Sequence, residues 1–435
     1  MKIKLFVALL FIANFSLLAQ DCPPYSITFS TQEQLDQFII QYPNCTELDV
    51  DISINAHGNF DYSPLNNIEK TRRWLYINTF DFDVTGLLNN LKSVRGIDVN
   101  SSGSELSLIN SFNELDSIKY RLTLSSSTDE WSKLNLDAFR NLRSVGANLG
   151  IKKLKILDSI NIFNKLTEAG SLYFVELQAV TSRFRIYGFE NLERTDYMWF
   201  RDLEISSLPG FENLVSVYDK INLENAINTE VFDGFNSLVA VSEINFKNNN
   251  IKKLKGFNNL QELDGGIQLY KNEVDELDAF NSIVQINGPI SVHEDKLTDF
   301  KGFSSLKVIN NTLFLTGFKS KSIEAFNNLS KVTRYIDIRE ADSLLSLDFL
   351  SNLKNLSHLS IMDNRSLRDF SGLENITHFA GYLKVHHNAS LTSFKGLDNL
   401  EFIGGICNIL SNQSLSSLSG LGNVKEIKGD FTLIN

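Results

Sequence analysis

The chain has 435 residues and a formal net charge of -11, with 41 basic residues dispersed along its length. Nucleic-acid binding needs basic residues gathered into a stripe, so this composition argues against it. After the first twenty residues no segment is apolar for long enough to span a membrane.

Residues 1–19 read as a secretory signal peptide. Lys2 and Lys4 give the positive start, an apolar run follows, and Ala19 ends a cleavage site. An uncleaved anchor is the alternative, and the lack of a Cys directly after Ala19 argues against a lipoprotein. Removing Lys2 and Lys4 takes the charge from -11 to -13. The expected destination is the cell surface or the medium. There Cys22 and Cys45 are expected to form a disulfide worth about 3 kcal/mol; two free thiols are the alternative. Ser30-Thr31-Gln32-Glu33 opens a small helix with a Ser30-to-Glu33 capping box, and Leu35, Phe38 and Ile39 follow at helical spacing. Tyr42-Pro43-Asn44-Cys45 is a degenerate copy of a phrase that recurs downstream. Residues 20–45 are therefore expected to be an N-terminal cap, pinned by the disulfide to the first repeat.

From residue 46 to 435 one phrase repeats: LNNI at 65, LNNL at 88, FENL at 189 and 211, FNSL at 235, FNNL at 326, LDNL at 397. Its anchors (Leu65, Leu88, Phe112, Phe139, Phe163 and onward to Leu421) are 22 to 27 residues apart. A fixed period of that size marks a solenoid, in which each repeat buries its apolar face only against its neighbours. About ten residues after each anchor stands an apolar–variable–apolar triplet: ISI at 52, LYI at 75, IDV at 97, LGI at 149, IQL at 267, LKV at 383, FTL at 431. Strand alternation turns the flanking residues inward and the middle one outward. About seventeen such rungs at about 4.8 Å give a parallel sheet roughly 80 Å long.

Three residues beyond several triplets comes a polar corner residue: Asn249, Asn272, Asp295, Asn364, Asn388, Asn412. Buried there, an amide satisfies backbone groups where the chain turns off the sheet. Other repeats place Phe80, Leu154, Leu177, Leu203 or Phe318 in that slot. Glycines before the anchors (Gly210, Gly234, Gly256, Gly302, Gly372, Gly396, Gly420) suit a turn with positive φ.

LKVHHNASL (383–391) and IQLYKNEV (267–274) resemble the leucine-rich-repeat phrase LxxLxLxxN. LTSFKGLDNLEFIGGICNI (391–409) resembles the receptor L-domain variant of that family. The resemblance covers about 46–435 and implies a right-handed β-solenoid that serves as a binding module. Residues 125–188 fit the phrase poorly, and their register stays open. The chain ends one strand into a repeat, at Phe431–Asn435, which is expected of a truncated reading frame or of an end covered by a partner.

The outward column is the candidate recognition surface. Tyr173 and Trp199 fall on neighbouring rungs, Arg201 stands beside them, and Asn222 and Asn245 continue the column. Rings, amides and a guanidinium suit a sugar or a protein hot spot. The competing reading is that the rings pack on each other, or under the loops that hold Trp131. Phe314 reads as an isolated exposed ring. No HExxH, GxSxG, GxxxxGK[ST] or GxGxxG occurs, so no catalytic residues and no cofactor are expected. His293-Glu294-Asp295 reads as sheet edge and corner. His386-His387 fall on alternate sides of a strand end, no CxxC accompanies the cysteines, and no metal is expected. Cys407 reads as an inert core thiol. The expected function is non-enzymatic binding or adhesion to a protein or carbohydrate. The alternatives are a passive spacer and a β-helical polysaccharide-cleaving enzyme. The enzyme would need clustered carboxylates, and the column holds only Asp98 and Asp337, far apart.

Overall fold

The computed structural model describes residues 22–181, 184–226, 230–294 and 296–434. The leader expected over 1–19 lies outside them, as does Asp295. The described chain is a parallel β-solenoid of about seventeen turns. Every apolar triplet becomes a rung, and each pairs in parallel with the next at the expected register. Ile52 sits against Leu75, Leu75 against Ile97 and Ile97 against Leu122. The stretch left open, 125–188, obeys the same rule: Leu122 pairs with Leu149, Leu149 with Leu172, and Leu172 with Met198. The series ends with Cys407 against Phe431. One rung precedes the first triplet, because Ile27–Phe29 pairs with Ile52–Ile54.

Two hydrogen-bond ladders and a row of rings hold successive turns together. At the corner, Asn249 Nδ2 donates to the Leu223 carbonyl at 2.9 Å, and its Oδ1 accepts from the Ala226 amide at 2.8 Å. Asn364, Asn388 and Asn412 repeat the pattern, fully buried, each reaching the backbone of the rung before it. The second ladder explains the recurring phrase. Its third residue donates to the carbonyl of the second residue one repeat earlier: Asn90 to Asn66 at 2.8 Å, Asn213 to Glu190 at 2.7 Å, Asn375 to Ser351 at 2.8 Å, Asn399 to Glu374 at 2.8 Å. Asn67 reaches Pro43 in the same way, so Tyr42–Cys45 does act as a copy of the phrase.

The anchor rings stack along the core. Centroids are 5.1 Å apart for Phe257–Phe280, 5.0 Å for Phe280–Phe303 and 4.9 Å for Phe303–Phe326. These anchors take a left-handed backbone, with φ of 54° at Phe257, 64° at Phe280, 49° at Phe303 and 65° at Phe326. That conformation costs an L-residue about 1–2 kcal/mol. Burying the whole ring returns about 2–3 kcal/mol, and stacking adds to it. Burial wins, and the strain persists.

The structure corrects several local expectations. The helix α1, Gln32–Gln41, is capped by Thr31 with Gln34 closing the box, and not by Ser30 with Glu33. The corner after Ile290–His293 is filled by Glu294, fully buried, whose carboxylate accepts from the Asn272 amide and side chain. Glutamate is one methylene longer than aspartate, so it fills the corner from one position earlier. Phe80 is half exposed, because that rung runs on to a left-handed residue at Asp81. Gly210 and Gly234 do not have positive φ. At Gly210 the need is close approach: a Cβ would lie 2.9 Å from the Tyr187 Cα. Cys22 and Cys45 form a disulfide, and Cys407 is a buried free thiol. No described helix is long and apolar enough to cross a membrane.

Candidate functional site

Register alone assembles the outward face. Gly150, Tyr173, Trp199, Asn222 and Asn245 follow one another across adjacent strands, and Arg201 lies between Val175 and Glu224. All five expected residues therefore share one surface. The same register puts Tyr197 beside Ser171, also facing out. Tyr173, Tyr197 and Trp199 form a triangle of half-buried rings with centroids 5.7, 6.2 and 6.4 Å apart. The rings do pack on one another, as the competing reading held, yet each keeps exposed area. Trp131 is elsewhere, lining a groove of about 630 Å³ with Lys133 and Lys155.

Cations lie over this cluster. The Arg201 guanidinium sits 4.9 Å from the Trp199 ring centre, and the Lys152 ammonium 5.6 Å from that of Tyr173. Arg201 is aimed by Glu176 at 3.4 Å and Asp202 at 3.2 Å. Asn222 Nδ2 donates to the Tyr197 hydroxyl at 2.8 Å. Burial pushes the Tyr197 phenol above its ordinary value, with the Asn222 bond opposing, so it stays a neutral hydroxyl. Glu176 and Asp202 are engaged by Arg201, and no described group of three His, Cys, Asp or Glu is placed to hold a metal ion. The arrangement offers ring faces, amides and fixed cations.

A second cluster on the same face escaped the sequence reading. Trp74 lies flat across Gly96, where a Cβ would come within 2.2 Å of its ring. Tyr76 stacks on it at 6.4 Å and Tyr120 meets it edge-on at 5.7 Å. The Arg121 guanidinium covers it at 4.7 Å, held by both oxygens of Asp98 at 2.9 and 2.5 Å. Farther along, Phe314 is not isolated but meets Tyr335 at 5.1 Å, and His358 meets Tyr382 at 4.3 Å. The missed residues had a signal. Trp74, Arg121, Tyr197, Tyr335, His358 and Tyr382 each immediately precede a triplet, so alternation turns them outward too.

No protein-family model matches the chain, and no curated protein matches it in sequence. The fold and the face geometry are what bear on function.

Proposed function

We propose that the chain is an exported, non-enzymatic binding or adhesion protein, a right-handed leucine-rich-repeat-like solenoid that recognises a protein or glycan through its outward sheet face. The Tyr173–Tyr197–Trp199 cluster under Arg201 carries this reading, because it sets partly exposed rings and a fixed cation on a rigid frame. The buried corner asparagines support the repeat type. The charged start and apolar run of residues 1–19, with the Cys22–Cys45 disulfide, support export to the cell surface or medium. Neither cofactor nor nucleic acid belongs to this reading.

The test is binding of residues 20–435 to arrayed glycans and surface proteins, beside the folded Tyr173→Ala/Trp199→Ala variant. A ligand lost in the variant supports the face as the site. A ligand retained places the site elsewhere. A passive spacer is favoured by the way these rings satisfy one another, and it predicts no ligand with either protein.

A further inference from the structure

The two aromatic clusters belong to one line across the sheet. From Leu75 the register runs through Ile97, Leu122 and Leu149 to Leu172, four strand steps or about 19 Å. Trp74, Tyr76 and Tyr120 form a bank at one end; Tyr173, Tyr197 and Trp199 form the other. Between them the outward column runs through Asp98, which is taken up by Arg121, to Thr123 and Gly150, two small residues that form a floor with the Lys152 side chain lying over Gly150. Each bank carries a cation on the side of the floor, Arg121 at one and Lys152 at the other. Arg121 is held by Asp98. Lys152, exposed, has no carboxylate partner among the described residues.

Resting on the binding reading above, we propose that this line is one track for a linear glycan laid along the solenoid axis, with sugar rings on both banks. The step of an extended β-linked sugar chain is close to one strand spacing, about 5 Å, so successive sugars stay in phase with successive rungs. An extended peptide advances only about 3.4 Å per residue and falls out of phase. Sugar rings present the C–H faces that aromatic side chains cover. Lys152 stands over the floor to donate to a hydroxyl or a uronic carboxylate, a charge-assisted bond in the second case.

The test is calorimetric titration of residues 20–435 with β-1,4-linked gluco-oligosaccharides and with β-1,4-linked oligomannuronates, each from two to six sugars. Affinity is expected to rise about tenfold or more between the trimer and the hexamer, as the second bank engages. Tyr120→Ala is expected to return the hexamer to the trimer's affinity. Gly150→Leu, which fills the floor, is expected to do the same while sparing the trimer; circular dichroism and melting check that both variants fold. Tighter binding of the acidic series assigns Lys152 to a carboxylate, and of the neutral series to a hydroxyl. Trimer binding with no gain on lengthening, or a hexamer indifferent to both substitutions, overturns the track and leaves the Trp199 face as a local site. No binding by any oligomer while a protein ligand binds overturns the glycan assignment alone.

Discussion

Asn388 shows how much one corner side chain holds. It is fully buried, accepts from the Asn364 amide at 3.0 Å and donates to the Ile361 carbonyl at 2.9 Å. Asn388→Ala leaves both backbone groups orphaned, at about 1–3 kcal/mol each. Urea unfolding is expected to show a loss of about 2–4 kcal/mol; a change below about 0.5 kcal/mol would mean that water replaces the amide. The corner was legible because an Asn recurs there against an apolar rung. The acidic corner residue Glu294 was read a residue late, because side-chain reach is not visible in spacing. The pH response belongs to this scale too. Burial, then the Lys384 charge, holds the His358 imidazole below its ordinary value of 6.5. Burial, then His387 and Lys384, does the same to His386. With the folded values depressed, the unfolded chain binds more protons as pH falls below about 6.5, so stability present above that pH is lost on the way down. Thermal melts are expected to drop between about pH 7 and pH 5, and to drop less in His358→Gln/His386→Gln. The carboxylates held low by lysines, Glu273 and Glu276, act in the same direction only at more acidic pH.

At the scale of the element, one rung is a strand of a few residues, a corner and a turn through an anchor. The turn carries the steric demand. At Gly396 φ is +99°, and a Cβ would lie 2.1 Å from the Phe370 carbonyl oxygen of the turn before. Gly396→Ala is expected to cost about 3 kcal/mol or more, against little for Gly422→Ala, where nothing lies within 4 Å. Equal melting temperatures for the two variants would refute the argument. Strands and register were legible because two apolar residues flanking one variable residue allow only one facing, and a slip would expose every core side chain. The left-handed anchors were not legible. Phenylalanine is a poor choice for positive φ by local preference, and full burial of the anchor side chain offsets the strain, as it does at Leu88 with φ of 49°. The candidate site was half legible for a related reason. The middle column was read, while the outward residue just before each triplet, which supplies Trp74 and Tyr197, was not.

At the scale of the molecule, every strand pairing joins successive turns, so the chain behaves as a one-dimensional array. The Cys22–Cys45 disulfide, spanning 23 residues, ties the first strand and α1 to the first turn. Reducing it removes about 3 kcal/mol locally. Hydrogen exchange under reductant is expected to quicken over Ile27–Phe29 and α1 and to stay unchanged beyond about the third rung. Uniform quickening would mean that the array unfolds as one unit. The ladders carry a further consequence. Each Asn, anchor ring and triplet meets a like partner one turn away, so residues 257–279 form an interchangeable module. Duplicating that segment in the gene would extend the molecule by one strand spacing with every bonding row unbroken. Length is therefore a trait that recombination within the coding sequence alters in whole steps, while each copy's outward side chains vary independently.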